Sequence, residues 1–197
     1  LLIEAAQRLM REQGVDATSV QQITEEADVG LGTFYLHFES KVEVLAAVIA
    51  EMMLAHREEV ERITADLEDP AEIVGAAVRY TLHHVVRDPL WSWFLLRSGL
   101  PVERLREAFG EHASGHVLQG IAAGRFQPQD VAALSSFLTG AVTGVISERV
   151  SGRLGPEADH VAAELFLVTL GVPRSDAAAI ARRPIPALES ADRRRSA

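Results

Sequence analysis

Apolar residues recur along this chain at spacings of three and four, the period of a helix face. Val44, Val48 and Met52 form one such stripe; Val74, Val78, Thr81, Leu82 and Val85 form a second; Leu138, Val142, Val145 and Ile146 form a third. No β-branched run alternates with period two. Pro70, Pro89, Pro101, Pro128 and Pro156 stand where helices would begin, because proline lacks the N–H that a first turn leaves unpaired. Asp69 and Asp88 precede two of them as capping carboxylates, and Glu72 is placed to complete a capping box with Asp69. The pattern predicts an all-α protein with helices over 1–14, 19–26, 30–37, 40–66, 70–87, 89–98, 101–123, 128–153, 156–171 and 175–183. Three short helices before the first long one predict a small N-terminal domain, residues 1–45. A larger helical domain, 46–183, follows, with the helix from Ser40 bridging the two. Residues 184–197 hold two prolines and Arg193-Arg194-Arg195 and read as a flexible tail.

The first fifty residues carry the most specific pattern. Thr18 or Ser19 caps a short helix, with Gln21 completing a capping box if Thr18 is the cap, and Ile23 and Ala27 forming its inner face. Asp28 falls where the chain must turn sharply, and Asp is among the few residues that tolerate a left-handed conformation. A second short helix carries Leu31-Gly32-Thr33-Phe34-Tyr35, with Val29 and Phe34 inward. Two helices joined this tightly form a helix-turn-helix, whose second member can enter a DNA major groove. Ser40 and Glu43 form a capping box for the long helix that follows.

Thr18-Ser19-Val20-Gln21-Gln22-Ile23, followed by Gly32-Thr33-Phe34-Tyr35-Leu36-His37-Phe38-Glu39-Ser40-Lys41 and Leu45, resembles the DNA-binding domain of the TetR family of bacterial transcriptional regulators. The resemblance covers about residues 3–50. It implies a DNA-binding face made of Thr18, Ser19, Gln21, Leu31, Gly32, Thr33, Tyr35, His37 and Lys41. Within that face Gly32 lets backbone approach DNA, Thr33 can touch a thymine methyl or a phosphate, and Tyr35 can donate to a phosphate. His37 and Lys41 resemble the family's phosphate contacts. Lys41 lies in the first turn of a helix, where the dipole disfavours a cation, so a bound phosphate would account for it. Two positions depart from the family pattern: Gly30 stands where a small hydroxyl residue usually caps the recognition helix, and Gln21 where a basic residue is common.

Composition narrows the function classes. A hydrophobic fraction of 48% and a charged fraction of 24% exclude disorder throughout. The absence of cysteine excludes disulfide scaffolds, thiolate metal sites and cysteine nucleophiles. A net charge of −9, from 19 Lys+Arg against 28 Asp+Glu, excludes a globally basic nucleic-acid binder but not a locally basic one. Residues 1–50 hold Arg8, Arg11 and Lys41 against eight carboxylates, or −5, so arginines from a segment preceding Leu1 are expected to assist DNA binding. Leu1-Leu2-Ile3-Glu4 looks like the inside of an amphipathic helix rather than a signal peptide. The uncharged stretch Val131–Ser147 is shorter than the roughly twenty apolar residues of a membrane span and reads as a buried helix or an interface.

In TetR-like proteins the C-terminal helices dimerise and enclose a ligand pocket. Gly140, Ala141 and Gly144, with Leu138, Val142 and Val145, and then Val161, Leu165, Val168 and Thr169, suit either a four-helix dimer interface or a buried pair of helices within one chain. Trp91-Ser92-Trp93-Phe94, with Tyr80, His83, His84, Met52, Met53 and His56, suits either a cleft for a lipophilic ligand or plain core. His112 and His116, four apart beside Glu111, could chelate a metal or face solvent; no third ligand can be named, and no metal or cofactor is expected. Neither a nucleophile elbow nor a phosphate-binding glycine loop is present, so an enzyme is not expected. The expected protein is a cytoplasmic, homodimeric, ligand-responsive regulator. It would be a repressor released from a pseudo-palindromic DNA operator by a small effector. The alternative is a helical interaction or small-molecule-binding protein that has lost DNA binding.

Overall fold

A computed structural model describes residues 1–97, 115–127 and 130–185. The described residues form ten helices and no strand, as the hydrophobic period predicts. They are α1 (Leu2–Gln13), α2 (Val20–Glu26), α3 (Leu31–His37), α4 (Lys41–Thr64), α5 (Pro70–Arg87), α6 (Pro89–Arg97), α7 (residues 115–122), α8 (Val131–Val150), α9 (Ala158–Thr169) and α10 (Arg174–Ala181). The first part of the helix expected over 101–123, His112, Pro128 and the tail from residue 186 lie outside the described residues. The helix predicted from Pro128 has its cap at Asp130, whose carboxylate accepts from the amides of Ala132 and Ala133 at 2.9 and 3.0 Å.

Two compact units result. The first holds Leu1–His56 together with α6; the second holds Arg57–Arg87 with α7 to α10. Residues 46–56 and α6, given by the sequence pattern to the larger domain, make most of their contacts with the N-terminal helices. The reason is local: α1 packs on α6, and Arg11 Nε donates to Asp88 Oδ2 at 3.0 Å just before α6 begins. The core of this unit is built from Leu2, Ala5, Ala6 and Met10 of α1, Ile23, Phe34, Val44, Val48 and Met52, and Leu90, Trp91 and Phe94 of α6.

In the second unit α5 packs against α8, α9 and α10, and α9 packs against both α8 and α10. Gly75 makes the close approach possible: a Cβ there would meet Ile180 Cγ2 at 3.0 Å and Leu167 Cδ1 at 3.4 Å. Burial of Val74, Val78, Leu82 and Val85 on one side of α5 follows the predicted stripe. By contrast α8, of twenty residues, buries only Leu138 and Ile146. It is long and apolar enough to cross a membrane by length and composition alone. Its start and the C-terminal end of α9 flank an open groove of about 430 Å³ lined by Gln127, Asp130, Leu134, Phe137, Val168 and Gly171, among others.

Arg125 ties the start of α5 to α10. Its Nε and Nη2 donate to the two Asp69 oxygens at 2.9 Å each, and Nη2 also reaches Asp176 Oδ2 at 2.5 Å. Asp69 caps α5 as expected, accepting from Ala71 N at 2.9 Å. Glu72 does not complete that box, because its carboxylate is drawn to Arg183. The hydrogen bond from Arg125 holds the Asp69 carboxyl below its ordinary range, and Asp69 and Asp176 push the Arg125 guanidinium up. A carboxyl depressed in the folded state stabilises at neutral pH and loses that contribution as pH falls through its folded pKa. Arg125→Met is therefore expected to lower stability at pH 7 by about 1 kcal/mol, since solvent reaches the pair. The difference from the parent should shrink below the ordinary carboxylate range, as followed by urea unfolding at pH 7 and pH 3.

Candidate nucleic-acid interface and effector region

Two short helices define the interface. Ser19 caps α2: its Oγ accepts from Gln22 N at 3.2 Å, and Gln22 Oε1 accepts from Ser19 N at 2.8 Å. The capping box therefore uses Ser19 and Gln22, not Thr18 and Gln21. The Thr18 hydroxyl is turned inward, donating to Gly14 O at 2.8 Å, and the residue is 1% exposed. Thr18, expected on the DNA-binding face, is thus part of the framework beneath it. Gln21 is exposed, with its amide donating to Glu25 Oε1 at 2.8 Å. Asp28 takes the left-handed conformation expected of it, with φ 52°, and closes the turn into α3.

The recognition element is held by one side chain. Phe34 is 0% exposed, with its ring centroid 5.3 Å from Tyr35 in an edge contact and 5.7 Å from Phe38. With Phe34 inward, the helical period turns Gly32, Tyr35 and Leu36 outward; Leu31 and His37, at the two ends of the helix, are exposed as well, and Thr33 is half-buried. Tyr35 is 56% exposed. Gly30 caps α3 without a side-chain hydrogen bond. The α4 start has half of the box expected of it: Glu43 N donates to Ser40 Oγ at 3.3 Å, but the Glu43 carboxylate accepts from Glu39 N at 2.6 Å. Two exposed apolar residues beside this face, Leu36 at 82% and Val42, were not singled out by the sequence pattern. A leucine on the outward side of a helix whose inward side is already occupied by Phe34 was the available signal.

All three cations of the first fifty residues are engaged within this unit. Arg8 pairs with Glu26 and Arg11 with Asp88. The Lys41 ammonium donates to the carbonyls of Val15 and Thr18 at 2.9 and 2.8 Å and lies 3.4 Å from that of Asp16. Lys41, expected at a phosphate, is directed into the α1–α2 turn because those carbonyls have no helical partner.

The nine residues expected to bind a ligand divide between the units. In the first, the rings of His56 and Trp91 lie 5.4 Å apart at 63°, and those of Trp91 and Phe94 6.0 Å apart at 70°. Met52, His56, Trp91 and Phe94 are buried; Met53 and Trp93 are half-buried. In the second, Tyr80 stacks on His84 at 5.5 Å, packs with Val60 and Ile185, and has its phenol pushed up to about 12 by burial; His83 is half-buried on the same helix. Among the described residues, no three His, Asp or Glu side chains gather to hold a metal.

A helix-turn-helix with an outward second helix, followed by an all-helical domain, marks a class of DNA-binding regulators. A model of bacterial regulatory proteins of the tetR family matches residues 2–48, and one of the tetracyclin repressor-like C-terminal domain matches residues 69–183, more than half of the chain. The chain belongs to the TetR family. The structure of RolR in complex with resorcinol superposes with a TM-score of 0.81 at 30% identity, covering 95% of this chain and 94% of that one. That of FadR from Bacillus subtilis in complex with stearoyl-CoA gives 0.65 at 21% identity, over 85% of this chain and 97% of that one, a likeness of fold. Among curated proteins, the transcriptional regulator HbdR of Aromatoleum sp. (strain CIB) is 32% identical over 77 residues, 39% of this chain and 34% of its own. The regulator YvdT of Bacillus subtilis (strain 168) is 40% identical over 55 residues, 28% of each. The chain spans less than half the length of these curated relatives.

Ser19→Ala removes one half of a reciprocal cap from a helix of only seven residues. Thermal unfolding is expected to show a loss of about 1 kcal/mol, whereas Gln21→Ala, outside the box, should be close to neutral.

Proposed function

We propose that this chain is a cytoplasmic, homodimeric transcriptional repressor that leaves a pseudo-palindromic operator when a small lipophilic effector binds. The observation that carries the reading is the outward presentation of Leu31, Gly32 and Tyr35 on a helix anchored by buried Phe34. The N-terminal residues of a recognition helix face base edges, and here they offer a leucine, a bare backbone and the Thr33 methyl. Such groups suit thymine methyls, while Ser19, Tyr35 and His37 suit phosphate oxygens.

Pairing is supported by an apolar face on the second unit. Phe137 of α8 is 63% exposed, and Val161, Leu165 and Val168 of α9 are exposed beside the small residues Gly140, Ala141 and Gly144. A second copy would cover this face through a two-fold, four-helix contact. The effector reading rests on the ring cluster of His56, Trp91 and Phe94, with half-buried Met53 and Trp93 beside it. Here the Trp91 ring of α6 meets His56 of α4, the helix whose first turn is joined to the α1–α2 turn through Lys41. RolR is solved with resorcinol and FadR with stearoyl-CoA, so regulators of this fold hold both small phenols and acyl thioesters. An effector can release DNA only by its differential affinity for the two states.

Selection from a pool of random 30-base-pair duplexes is expected to enrich an inverted repeat with half-site centres about 34–36 Å apart. Replacing thymine by uracil in the half-sites of that duplex should weaken binding by several-fold, as read by fluorescence anisotropy. The competing interaction-protein reading, favoured by the engagement of Arg8, Arg11 and Lys41 within the protein, predicts that no sequence is enriched. Leu165→Glu places a charge in the middle of the apolar face. Sedimentation velocity is expected to show a dimer for the parent and a monomer for the variant, with no change in helix content by circular dichroism.

A further inference from the structure

We propose that Lys41 is a positioning residue, pinning the α1–α2 turn to the first turn of α4, and that its ammonium neutralises no phosphate. An ammonium has three donors and no acceptor. Here the three partners are main-chain oxygens of one short turn: Val15 O at 2.9 Å, Thr18 O at 2.8 Å and Asp16 O at 3.4 Å. They lie 23 to 26 residues earlier in the chain, between Gly14, which ends α1, and Ser19, which caps α2. Neither helix satisfies these carbonyls. Val15 and Thr18 are both buried, so the cage has a dry floor. That arrangement supplies the negative partners which a cation at a helix N-terminus otherwise lacks.

The mechanical consequence follows from connectivity. The turn that Lys41 grips leads directly into α2, and α2 leads through Asp28 into α3. The first turn of α4 and the recognition helix are therefore coupled by one side chain in addition to the chain itself. A displacement of α4 is passed to the turn at its root. This inference rests on the DNA-binding reading for its functional meaning, but the clamp itself is a property of the free protein.

Lys41 is the single lysine of the 197 residues, so protein grown with ¹⁵N-lysine carries one side-chain Nζ signal. In the free protein that signal is expected to show slowly exchanging ammonium protons, and to stay in place when the selected duplex is added. Rapid exchange in the free protein overturns the clamp whether or not any DNA binds. A shift of the signal on adding DNA, or a coupling to ³¹P, overturns the exclusion of phosphate. Lys41→Met is expected to lower affinity for the selected duplex roughly tenfold at every salt concentration, with the log–log salt slope parallel to the parent. A slope shallower by about 0.9 marks a lost phosphate contact and overturns the proposal. Lys41→Arg keeps the charge but replaces a compact ammonium by a planar fork, and is expected not to restore affinity; full restoration by arginine also counts against the clamp. Should the Met variant fail to fold, the Nζ measurement on the parent decides alone.

Discussion

Burial of the Phe34 ring is the constraint on which the DNA-binding unit turns. A seven-residue helix has too few internal hydrogen bonds to persist by itself, and α3 also lacks a side-chain cap. Its orientation comes from one aromatic anchor wedged among Tyr35, Phe38 and the core beneath. Because the helix period is 3.6 residues, fixing Phe34 inward turns Gly32, Tyr35 and Leu36 outward. The tight turn before it relies on Asp28 in the left-handed region, a strained state that a short polar side chain tolerates. Rigidity therefore sits on the inner face and chemistry on the outer one.

The second unit solves a different problem. Its central helix, α5, is gripped by α9 and α10 through the missing side chain at Gly75, and its N-terminal end is tied by ion pairs. Arg149 and Asp159 form a buried pair linking α8 to α9, with Arg149 Nε donating to Asp159 Oδ1 at 2.9 Å. A buried pair of this kind costs desolvation and gives geometry in return, holding two helices at a defined angle. What it holds in place is a largely apolar surface that the chain itself leaves wet.

Much of this was legible in the residues. Helix positions followed from period and proline placement, the Asp28 turn from the chemistry of αL residues, and the TetR-like domain from its dense run of matching positions. The failures are equally instructive. Asp69 was read correctly as a cap, but Glu72 was not free to complete the box, because Arg183 arrives from a hundred residues away. Thr18 and Ser19 are equivalent as capping residues on paper; only the tertiary position of Gly14 O decides that Thr18 faces inward. Lys41 has nothing local to neutralise it, which suggests a phosphate; in the free protein its ammonium is held by carbonyls of another segment of backbone, which no sequence spacing displays. The tryptophan helix lies inside the stretch that matches the C-terminal domain model yet packs on α1, a contact equally hidden from sequence spacing. Local rules thus succeeded where the deciding partner was within a turn or two, and failed where it was remote.

Acylation of lysine amines erases positive charge and so offers one route for switching off proteins that bind DNA. Within these 197 residues that route has a single target, and its three protons are shared among main-chain oxygens. The amine must leave its cage before it can attack an acyl donor. So long as the turn between α1 and α2 stays closed, the amine of Lys41 is shielded from acylation.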